Sequence, residues 1–190
     1  QAELEDKQME SSLNYIKARL KDEENTYLIF ATSRPELLYA CAGFSVQDIG
    51  DYVKVKVGDE YYIFSANTYE EKLSMFDIGY EVVESLKGDD LVGRKVVIPF
   101  TQKEIEVTHD QAVQADFGTG MAYFCSYGGL EDIEYFARHN LEPIEVLSKD
   151  GRLNSRCGSY EGMLAAEARP VVIKDLKEQG HLLHSEKITH

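Results

Sequence analysis

The sequence predicts a strand-rich α/β domain built on a compact, β-barrel-like mixed sheet. Three observations lead to this prediction. The chain has 190 residues, of which 43% are hydrophobic and 28% are charged, which suits one folded domain with a real core. Short runs rich in β-branched and aromatic residues recur along it, with helical patterns inserted only at intervals. They do not alternate regularly with helices, as the strands of a dinucleotide-binding fold would.

The predicted strands fall into two groups. The first group covers residues 12–20, 26–32, 40–46, 51–57 and 60–66. Gly58 and Asp59 separate the last two of these runs and predict a hairpin between them. The second group lies in the stretches GRKVVIPF, KEIEVTH, GTGMAYFCS and PIEVLS.

Three stretches have helical patterns. The first is NTYEEKLSMF, residues 67–76, with Asn67 as its predicted cap. The third is MLAAEARPVVIKDLKEQG, which Gly180 should end and in which Pro170 requires either a start near Ala168 or a kink. The second is LEDIEYFARHN, where helical spacing predicts one apolar face made of Leu130, Ile133, Phe136 and Ala137.

Composition and motifs exclude several classes of function. A formal net charge of −14 argues against a free-standing nucleic-acid binder, because phosphate contacts need Lys and Arg. No apolar run reaches membrane-spanning length, and the charged first residues are no signal peptide. The 3 cysteines lie far apart and the 5 histidines form no HExxH motif, so we expect no metal site and a reducing, cytoplasmic location. Both ends read as cuts from a longer chain.

The stretch ATSRPELL places two hydroxyl groups, of Thr32 and Ser33, at the end of a buried-looking strand, followed by Arg34 and a turn set by Pro35. It is compatible with a capped strand exit and with a ligand-binding turn. Further on, His109 and Asp110 are neighbours in a predicted strand, so their side chains should point to opposite faces and form no catalytic pair.

The stretch FGTGMAYF contains two glycines, Gly118 and Gly120, around Thr119. A turn at a strand start explains such a pair, and so does a backbone that passes close to a ligand. Asp132 then lies in the first turn of the second predicted helix, where the helix dipole favours a carboxylate by a few tenths to about 1 kcal/mol. The residues alone leave both interpretations open at each of these positions.

Taken in order, several stretches resemble the editing (CP1) domain inserted in class I aminoacyl-tRNA synthetases, in its valyl, archaeal-type form. They are ELEDKQMESSLNYIK, TSRPELL, ADFGTGMAYFCSYGGLEDIEYFARHNLEPIEVLSKDGRLN and the GSYEGMLAAEA region. The resemblance implies a compact β-barrel-like α/β fold. It makes residues 1–190 a single editing domain of a larger synthetase, with residues 1–20 and 181–190 as strands connecting to a catalytic core.

The resemblance also implies an activity, the hydrolysis of threonine wrongly attached to tRNA(Val). Valine and threonine are isosteric, and valyl-tRNA synthetase is itself the known example of a synthetic pocket that rejects threonine only about 100-fold. A second site that hydrogen-bonds the threonine hydroxyl can reverse this preference. The implied partners are the aminoacylated acceptor end of tRNA(Val) and the rest of the synthetase in cis. No cofactor is implied in this domain, since ATP would serve only the absent catalytic core.

Carried onto this sequence, the resemblance assigns Asp132 to hold the substrate's α-ammonium group while water attacks the ester. Thr32 and Ser33 would line the pocket, and Arg34 would lie near the terminal adenosine or its phosphate. The remaining implied substrate-binding residues are Gly118, Thr119, Gly120, Cys125 and Ser126.

The chain departs from common forms of this family at three positions. Gly128 and Gly129 stand where bacterial forms carry a His and a second Asp, and Tyr123 replaces a Lys of some forms. The group that reads the threonine hydroxyl therefore stays open among Thr32, Ser33, Cys125 and Ser126. Alternatives are a degenerate, non-catalytic domain that binds the acceptor end or acts as a spacer, a stand-alone deacylase, and the editing domain of an isoleucyl or leucyl enzyme.

Overall fold

The computed structural model describes residues 10–189, and within them ten strands form one mixed sheet. The helices of this part are α1 (Tyr69–Met75), α2 (Leu130–Arg138) and α3 (Ala165–Glu178), with short 3-10 turns at Pro35–Ala40, Gly88–Asp90 and Ser155–Tyr160. The strands are β1 (Glu10–Leu20), β2 (Thr26–Thr32), β3 (Cys41–Val46), β4 (Asp51–Val57), β5 (Glu60–Ser65), β6 (Glu81–Lys87), β7 (Lys95–Val97), β8 (Glu104–His109), β9 (Met121–Cys125) and β10 (Leu182–Thr189). The predicted strand-rich α/β class is confirmed. Within the described residues, no helix has the length and apolarity of a membrane span.

Strand β1 lies at the centre of the sheet. Its residues Asn14–Arg19 pair with β2, while its other edge is shared by β10 and, at its end, by β7. The order across the sheet is β6-β4-β5-β2-β1-β7-β8-β3-β9, with β2–β5 and β3–β8 parallel and the other pairs antiparallel.

The first and last described strands run side by side, because β1 and β10 pair antiparallel from Glu10 and Thr189 inward. The segments predicted to connect to a catalytic core therefore meet at one place on the domain. That connection itself stays a prediction, and residues 1–9 and His190 of those segments lie outside the described part.

The two faces of β1 belong to two different hydrophobic clusters, as alternation along a strand requires. Ile16, Ala18 and Leu20 face the main core. Tyr15 faces a second cluster, which α1 covers with Leu73 and the adjoining Phe76. This second cluster holds α1 against the sheet.

The sheet is open, since β6 and β9 end the strand order without pairing to each other. The turn at residues 118–120, just before β9, nevertheless ties the two ends together. Its three successive carbonyl oxygens accept hydrogen bonds from the Thr68 hydroxyl, the Ser65 N–H and the Tyr52 hydroxyl, in that order. The predicted β-barrel-like sheet is therefore open, and this turn, not strand pairing, connects β9 to β4 and β5.

Several predicted elements differ from the structure. The stretch PIEVLS is not a strand and contributes only an isolated bridge between Leu147 and Leu153. The edge strand β6 was not predicted, because its exposed residues have no buried face to create an alternating pattern. Thr68, not Asn67, precedes α1 as its N-cap residue, and its hydroxyl bonds the 118–120 turn instead of the helix.

Helix α3 begins at Ala165 and contains Pro170, so the first of the two expected outcomes, a start near Ala168, does not occur. The predicted end at Gly180 is confirmed. Gly180 has φ +78°, its N–H donates to the Lys177 carbonyl at 3.1 Å, and the His181 N–H donates to the Leu176 carbonyl at 2.8 Å. These two bonds form a Schellman motif.

A buried ion pair joins α3 to the 3-10 turn that follows β2. Glu36 on this turn is 1% exposed, and Arg169 on α3 donates to its carboxylate from Nε at 3.0 Å and from Nη2 at 2.8 Å. The Arg34 Nε lies farther away, 3.7 Å from the same carboxylate. Arg169 therefore provides most of the compensation that a buried charge needs.

We expect Arg169→Ala to lower the free energy of unfolding by about 3 kcal/mol, because it leaves the Glu36 charge buried with only a distant partner. Urea unfolding monitored by circular dichroism measures this change. Lys174→Ala on the same helix is the control, since Lys174 is 73% exposed and its closest carboxylate oxygen, on Glu178, is 4.0 Å away. Equal losses in the two variants would contradict a special role for the buried pair.

Candidate functional site

Asp132 lies in the first turn of α2, as predicted, but its carboxylate folds back over the end of β9. Its Oδ1 accepts a hydrogen bond from the Cys125 N–H at 2.9 Å. Burial raises the pKa of Asp132, and this effect outweighs the Cys125 N–H and the Arg34 charge, which both act to lower that pKa. The nearby Glu131 raises the pKa further. The site thus holds a partly desolvated carboxylate that a bound cation would stabilise.

Gly128 provides the space in which the Asp132 carboxylate lies. A Cβ atom built on Gly128 would be 2.2 Å from Asp132 Oδ2, far inside van der Waals contact. Gly128 does not have a positive φ, so the need for glycine here comes from space and not from backbone conformation. The glycine that stands here in place of a larger residue of other forms therefore leaves room for the Asp132 carboxylate.

Aromatic packing fixes the helix that carries Asp132. The Tyr135 ring stacks on Phe124 of β9 with centroids 3.8 Å apart and an interplanar angle of 5°. Its hydroxyl lies 2.7 Å from Ser45 Oγ and 3.2 Å from Thr108 Oγ1. A Cβ on Gly43 would be only 2.3 Å from the Tyr135 ring, so β3 leaves room for this side chain.

The apolar face predicted for α2 is buried only in part. Phe136 is buried, but Leu130 and Ile133 are 70% and 67% exposed, and Tyr135 is buried in their place. The reason is that the Tyr135 hydroxyl finds partners on β3 and β8 beneath the helix, which orients that side of α2 inward. Spacing of apolar residues alone does not detect such a polar anchor.

A cavity of about 450 Å³ opens beside Asp132. Its walls come from the 112–119 loop, β9, the start of α2, α1 and the paired strands β1 and β10. Among the predicted site residues, this cavity brings together Asp132, Gly118 and Thr119. Its other lining residues include Phe117, Tyr123, Lys72, Glu131 and Glu186.

A second depression of about 340 Å³ shares Asp132 with the first. It brings Cys125 and Ser126 together with the exposed Tyr127 and Ile133. A further cavity, of about 480 Å³, lies away from Asp132 along Lys17, Arg19 and His181. We place the candidate site at the first two, because they share a carboxylate whose pKa is raised by burial, which is typical of functional sites.

Thr32 at the end of β2 and the next two residues, Ser33 and Arg34, contribute in different ways. The Thr32 hydroxyl is 2.9 Å from the Tyr123 hydroxyl and accepts a hydrogen bond from the Arg34 N–H at 3.0 Å. The Arg34 guanidinium donates to the Tyr127 carbonyl at 2.8 Å, which ties the end of β2 to the turn before α2. None of Thr32, Ser33 and Arg34 lines either depression, and Thr32 reaches the cavity wall only through its contact to Tyr123.

The glycine-containing turn serves the fold and the site at different positions. Gly118 has φ +61° and faces open space within the cavity. Gly120 has φ +83° and lines neither depression, and a Cβ there would be 2.9 Å from both Tyr52 and Ser65. The small size of Gly120 is therefore required by packing under β4 and β5. The Thr119 hydroxyl is buried and donates to the Met121 carbonyl at 3.2 Å.

Cys125 and Ser126 are both committed to local structure. Burial raises the pKa of the Cys125 thiol to about 12, and the Asp132 charge adds to this effect, so the group is not a thiolate at neutral pH. The Ser126 hydroxyl accepts a hydrogen bond from the Ile144 N–H at 2.8 Å.

The predicted absence of a catalytic pair at His109 and Asp110 agrees with their contacts. Asp110 binds Arg138 at 2.9 Å and His139 at 2.6 Å, whereas His109 lies 3.3 Å from Asp48. The two side chains thus have separate partners.

Sequence reasoning assigned no role to Tyr123 or Lys72, which both line the cavity. Tyr123 alternates with Cys125 along β9, a signal that places both on one side of the strand. Lys72 is brought to the site only by the packing of α1 on the sheet, and no motif in the sequence marks it.

We expect Gly128→Ala to displace the Asp132 carboxylate and break its bond to the Cys125 N–H, because the new methyl group would occupy the carboxylate's position. Faster hydrogen exchange of the Cys125 amide, followed by NMR, measures this. Gly79→Ala is the matched control, since a Cβ there meets no atom within 4 Å and the backbone φ is not positive. Unchanged exchange at Cys125 in the Gly128 variant would show that the carboxylate is held by other contacts.

Known proteins similar to this chain include aminoacyl-tRNA ligases. No protein-family model matches the chain. The chain is 35% identical over 191 residues to isoleucine–tRNA ligase of Petrotoga mobilis and 33% identical over 189 residues to valine–tRNA ligase of Archaeoglobus fulgidus, in each case over 100% of its own length. It covers 21% and 17% of these relatives, so it spans about a fifth of the proteins it matches.

Solved structures share the fold. The chain superposes on a structure described as GlLeuRS-CP1 with a TM-score of 0.76 at 14% identity, over 90% of this chain and 97% of that one. It also superposes on the editing domain of the P. falciparum cytosolic leucyl-tRNA synthetase, with a TM-score of 0.67 at 12% identity, over 93% and 99% of the two chains. The predicted editing-domain fold is confirmed. Over its full length the chain is thus similar to a segment of isoleucine– and valine–tRNA ligases, and it has the fold of the CP1 editing domains of leucyl-tRNA synthetases.

Proposed function

We propose that this domain hydrolyses the ester bond of threonyl-tRNA(Val). A water molecule attacks the ester carbonyl carbon, the bond from that carbon to the ribose oxygen breaks, and threonine and tRNA with a free ribose hydroxyl leave. The observation that carries the proposal is the Asp132 carboxylate, held by the Cys125 N–H at the wall of a cavity of about 450 Å³. This volume lies within the usual range of small-ligand sites.

Asp132 is suited to bind the α-ammonium group of the substrate. The attraction between an ammonium group and a partly desolvated carboxylate is stronger than the same attraction in water. The ammonium charge also offsets the cost of burial that raises the pKa of Asp132. Because the Cys125 N–H holds Asp132 Oδ1, the carboxylate has a fixed position. The ion pair between this carboxylate and the ammonium group therefore fixes the position of the amino acid and of its ester. Asp132 would orient the ester while water, assisted by the free hydroxyl of the terminal ribose, makes the attack.

The Thr32–Tyr123 pair supplies the hydroxyl groups that threonine needs. Tyr123 lines the cavity and its hydroxyl is 2.9 Å from that of Thr32. Because the Arg34 N–H donates to Thr32 Oγ1, the Thr32 hydroxyl is oriented with respect to Tyr123. A threonine side chain can join this chain of hydroxyl groups through an additional hydrogen bond, which a valine methyl group in the same place cannot make.

Two alternatives remain as outcomes of the same assay. Isoleucine and valine enzymes are similar to the chain at 35% and 33% identity, so the mischarged substrate of an isoleucyl enzyme belongs in the test set. A degenerate domain would bind the acceptor end and hydrolyse nothing. The Asp132 carboxylate favours a catalytic site, because a partly buried acid whose pKa is raised by burial is typical of functional sites.

We expect Asp132→Asn to abolish hydrolysis of threonyl-tRNA(Val), because the amide keeps the shape of the side chain but cannot pair with an ammonium. In the parent chain the activity should be present at neutral pH and fall as pH drops through the raised pKa of Asp132, since only the carboxylate binds the cation. Rates measured from neutral to acidic pH, on threonyl- and valyl-tRNA(Val), test both points.

The same variant should not lower the free energy of unfolding at neutral pH. A carboxyl group whose folded-state pKa is raised opposes folding above that pKa, and this penalty disappears when the group is protonated or replaced by a neutral one. Loss of activity together with loss of stability would mean that Asp132 acts mainly in the fold. Hydrolysis that survives the substitution would disprove the proposed role.

We expect Tyr123→Phe to reduce the preference for threonyl- over valyl-tRNA(Val) by about tenfold, the effect of one lost hydrogen bond in a buried site. The ratio of kcat/KM for the two substrates measures it. Tyr27→Phe serves as the control, because Tyr27 is a partly buried tyrosine on the neighbouring β2 that lines neither depression around Asp132. A preference unchanged in both variants would remove Tyr123 from the specificity of the site.

A further inference from the structure

We propose that Lys72 on α1 binds the phosphate group of the terminal nucleotide of the substrate. The inference rests on the proposed function, because it assigns a second contact to the same ligand. Lys72 and Asp132 line the same cavity. Asp132 would hold the ammonium group of the aminoacylated nucleotide, and Lys72 would hold its phosphate group.

The charges around the cavity match those of such a ligand. Among the described lining residues the acids are Asp132, Glu131 and Glu186, and Lys72 is the single Lys or Arg. An aminoacylated terminal nucleotide carries one ammonium group and one phosphate. In a chain of net charge −14, a cation in the wall of the cavity offsets the repulsion between the lining acids and that phosphate.

Lys72 also lacks the close ion pair that other lysines of similar burial make. Its side chain is 15% exposed, and among the described residues no carboxylate oxygen is nearer to Nζ than that of Glu71, at 3.9 Å, on a side chain that is 81% exposed. Lys54 is 14% exposed and lies 2.5 and 3.0 Å from two carboxylates. Lys17 is 9% exposed and lies 2.8 Å from Glu60. A partly buried ammonium without such a partner is suited to an external anion.

The surroundings of Lys72 hold it in place. Its Nζ lies 5.6 Å from the centroid of the Tyr15 ring, which is 1% exposed. Phe76 packs on the same ring with centroids 4.8 Å apart. The Lys72 N–H donates to the Thr68 carbonyl at 3.0 Å, and the Thr68 hydroxyl bonds the Gly118 carbonyl of the site turn. The helix turn that carries Lys72 is therefore tied to the loop that lines the cavity.

The test uses two non-hydrolysable analogues, in which threonine is joined through an amide to the 3′ position of 3′-deoxyadenosine, one with and one without a 5′-phosphate. Dissociation constants are measured by calorimetry on the 190-residue chain. We expect the phosphorylated analogue to bind about tenfold more tightly, as one charge-assisted contact provides, and the gain to shrink at high salt. In Lys72→Gln the ratio of the two constants should fall to about one. In the control Lys174→Gln, on the exposed side of α3, it should remain about tenfold.

Because the ratio is taken within each variant, a general loss of folding affects both analogues and cancels. A tenfold ratio retained in Lys72→Gln would overturn the proposal, and so would a ratio near one in the parent chain. If the parent binds the analogue without phosphate and Asp132→Asn does not, the proposed function survives and only the Lys72 contact fails. If the parent binds neither analogue, both fail together.

Discussion

The architecture depends on the hydrogen bonds of one short turn. The carbonyl groups of residues 118–120 are bonded by groups from α1, β5 and β4, while the residues that follow continue directly into β9. These bonds connect two parts of an open sheet that no strand pairing joins. They also place the cavity, since the turn, α1 and the end of β9 that faces α2 all contribute to its walls. A polar backbone turn thus determines both the closure of the fold and the position of the site.

Near that turn, the residue that holds helix α2 in place is not the residue that is proposed to bind the ligand. Burial raises the pKa of Asp132, so its charge weakens the folded state at neutral pH. The helix that carries Asp132 is held instead by Tyr135, through its stack on Phe124 and its hydroxyl contacts to Ser45 and Thr108. The fold can therefore tolerate an unfavourable charge where a cationic ligand would bind. Gly128 completes the arrangement because any larger residue would occupy the carboxylate's space.

The acidic composition is compatible with a nucleic-acid substrate because of how the charges are arranged. Many acids of the chain form close pairs and do not line the cavity, such as Glu36 with Arg169 and Glu23 with Lys54. The chain spans about a fifth of its relatives, so most of a tRNA could be held by other parts of such a protein. Under the proposed function, only the acceptor end has to enter this domain, where Lys72 and the partly buried Asp132 are its proposed contacts.

Local patterns determined much of the secondary structure, because strand alternation, the Gly58–Asp59 hairpin and the Gly180 helix end depend on residues close in sequence. The motifs around residues 32 and 118–132 also predicted the editing-domain fold and singled out Asp132, which lines the cavity. Tertiary structure alone decided which side of α2 is buried, that β6 adds to the sheet edge and that PIEVLS does not. It also brought Tyr123 and Lys72 to the cavity. Each of these outcomes depends on partners far away in the chain, whose hydroxyl groups, rings and empty space no local pattern contains.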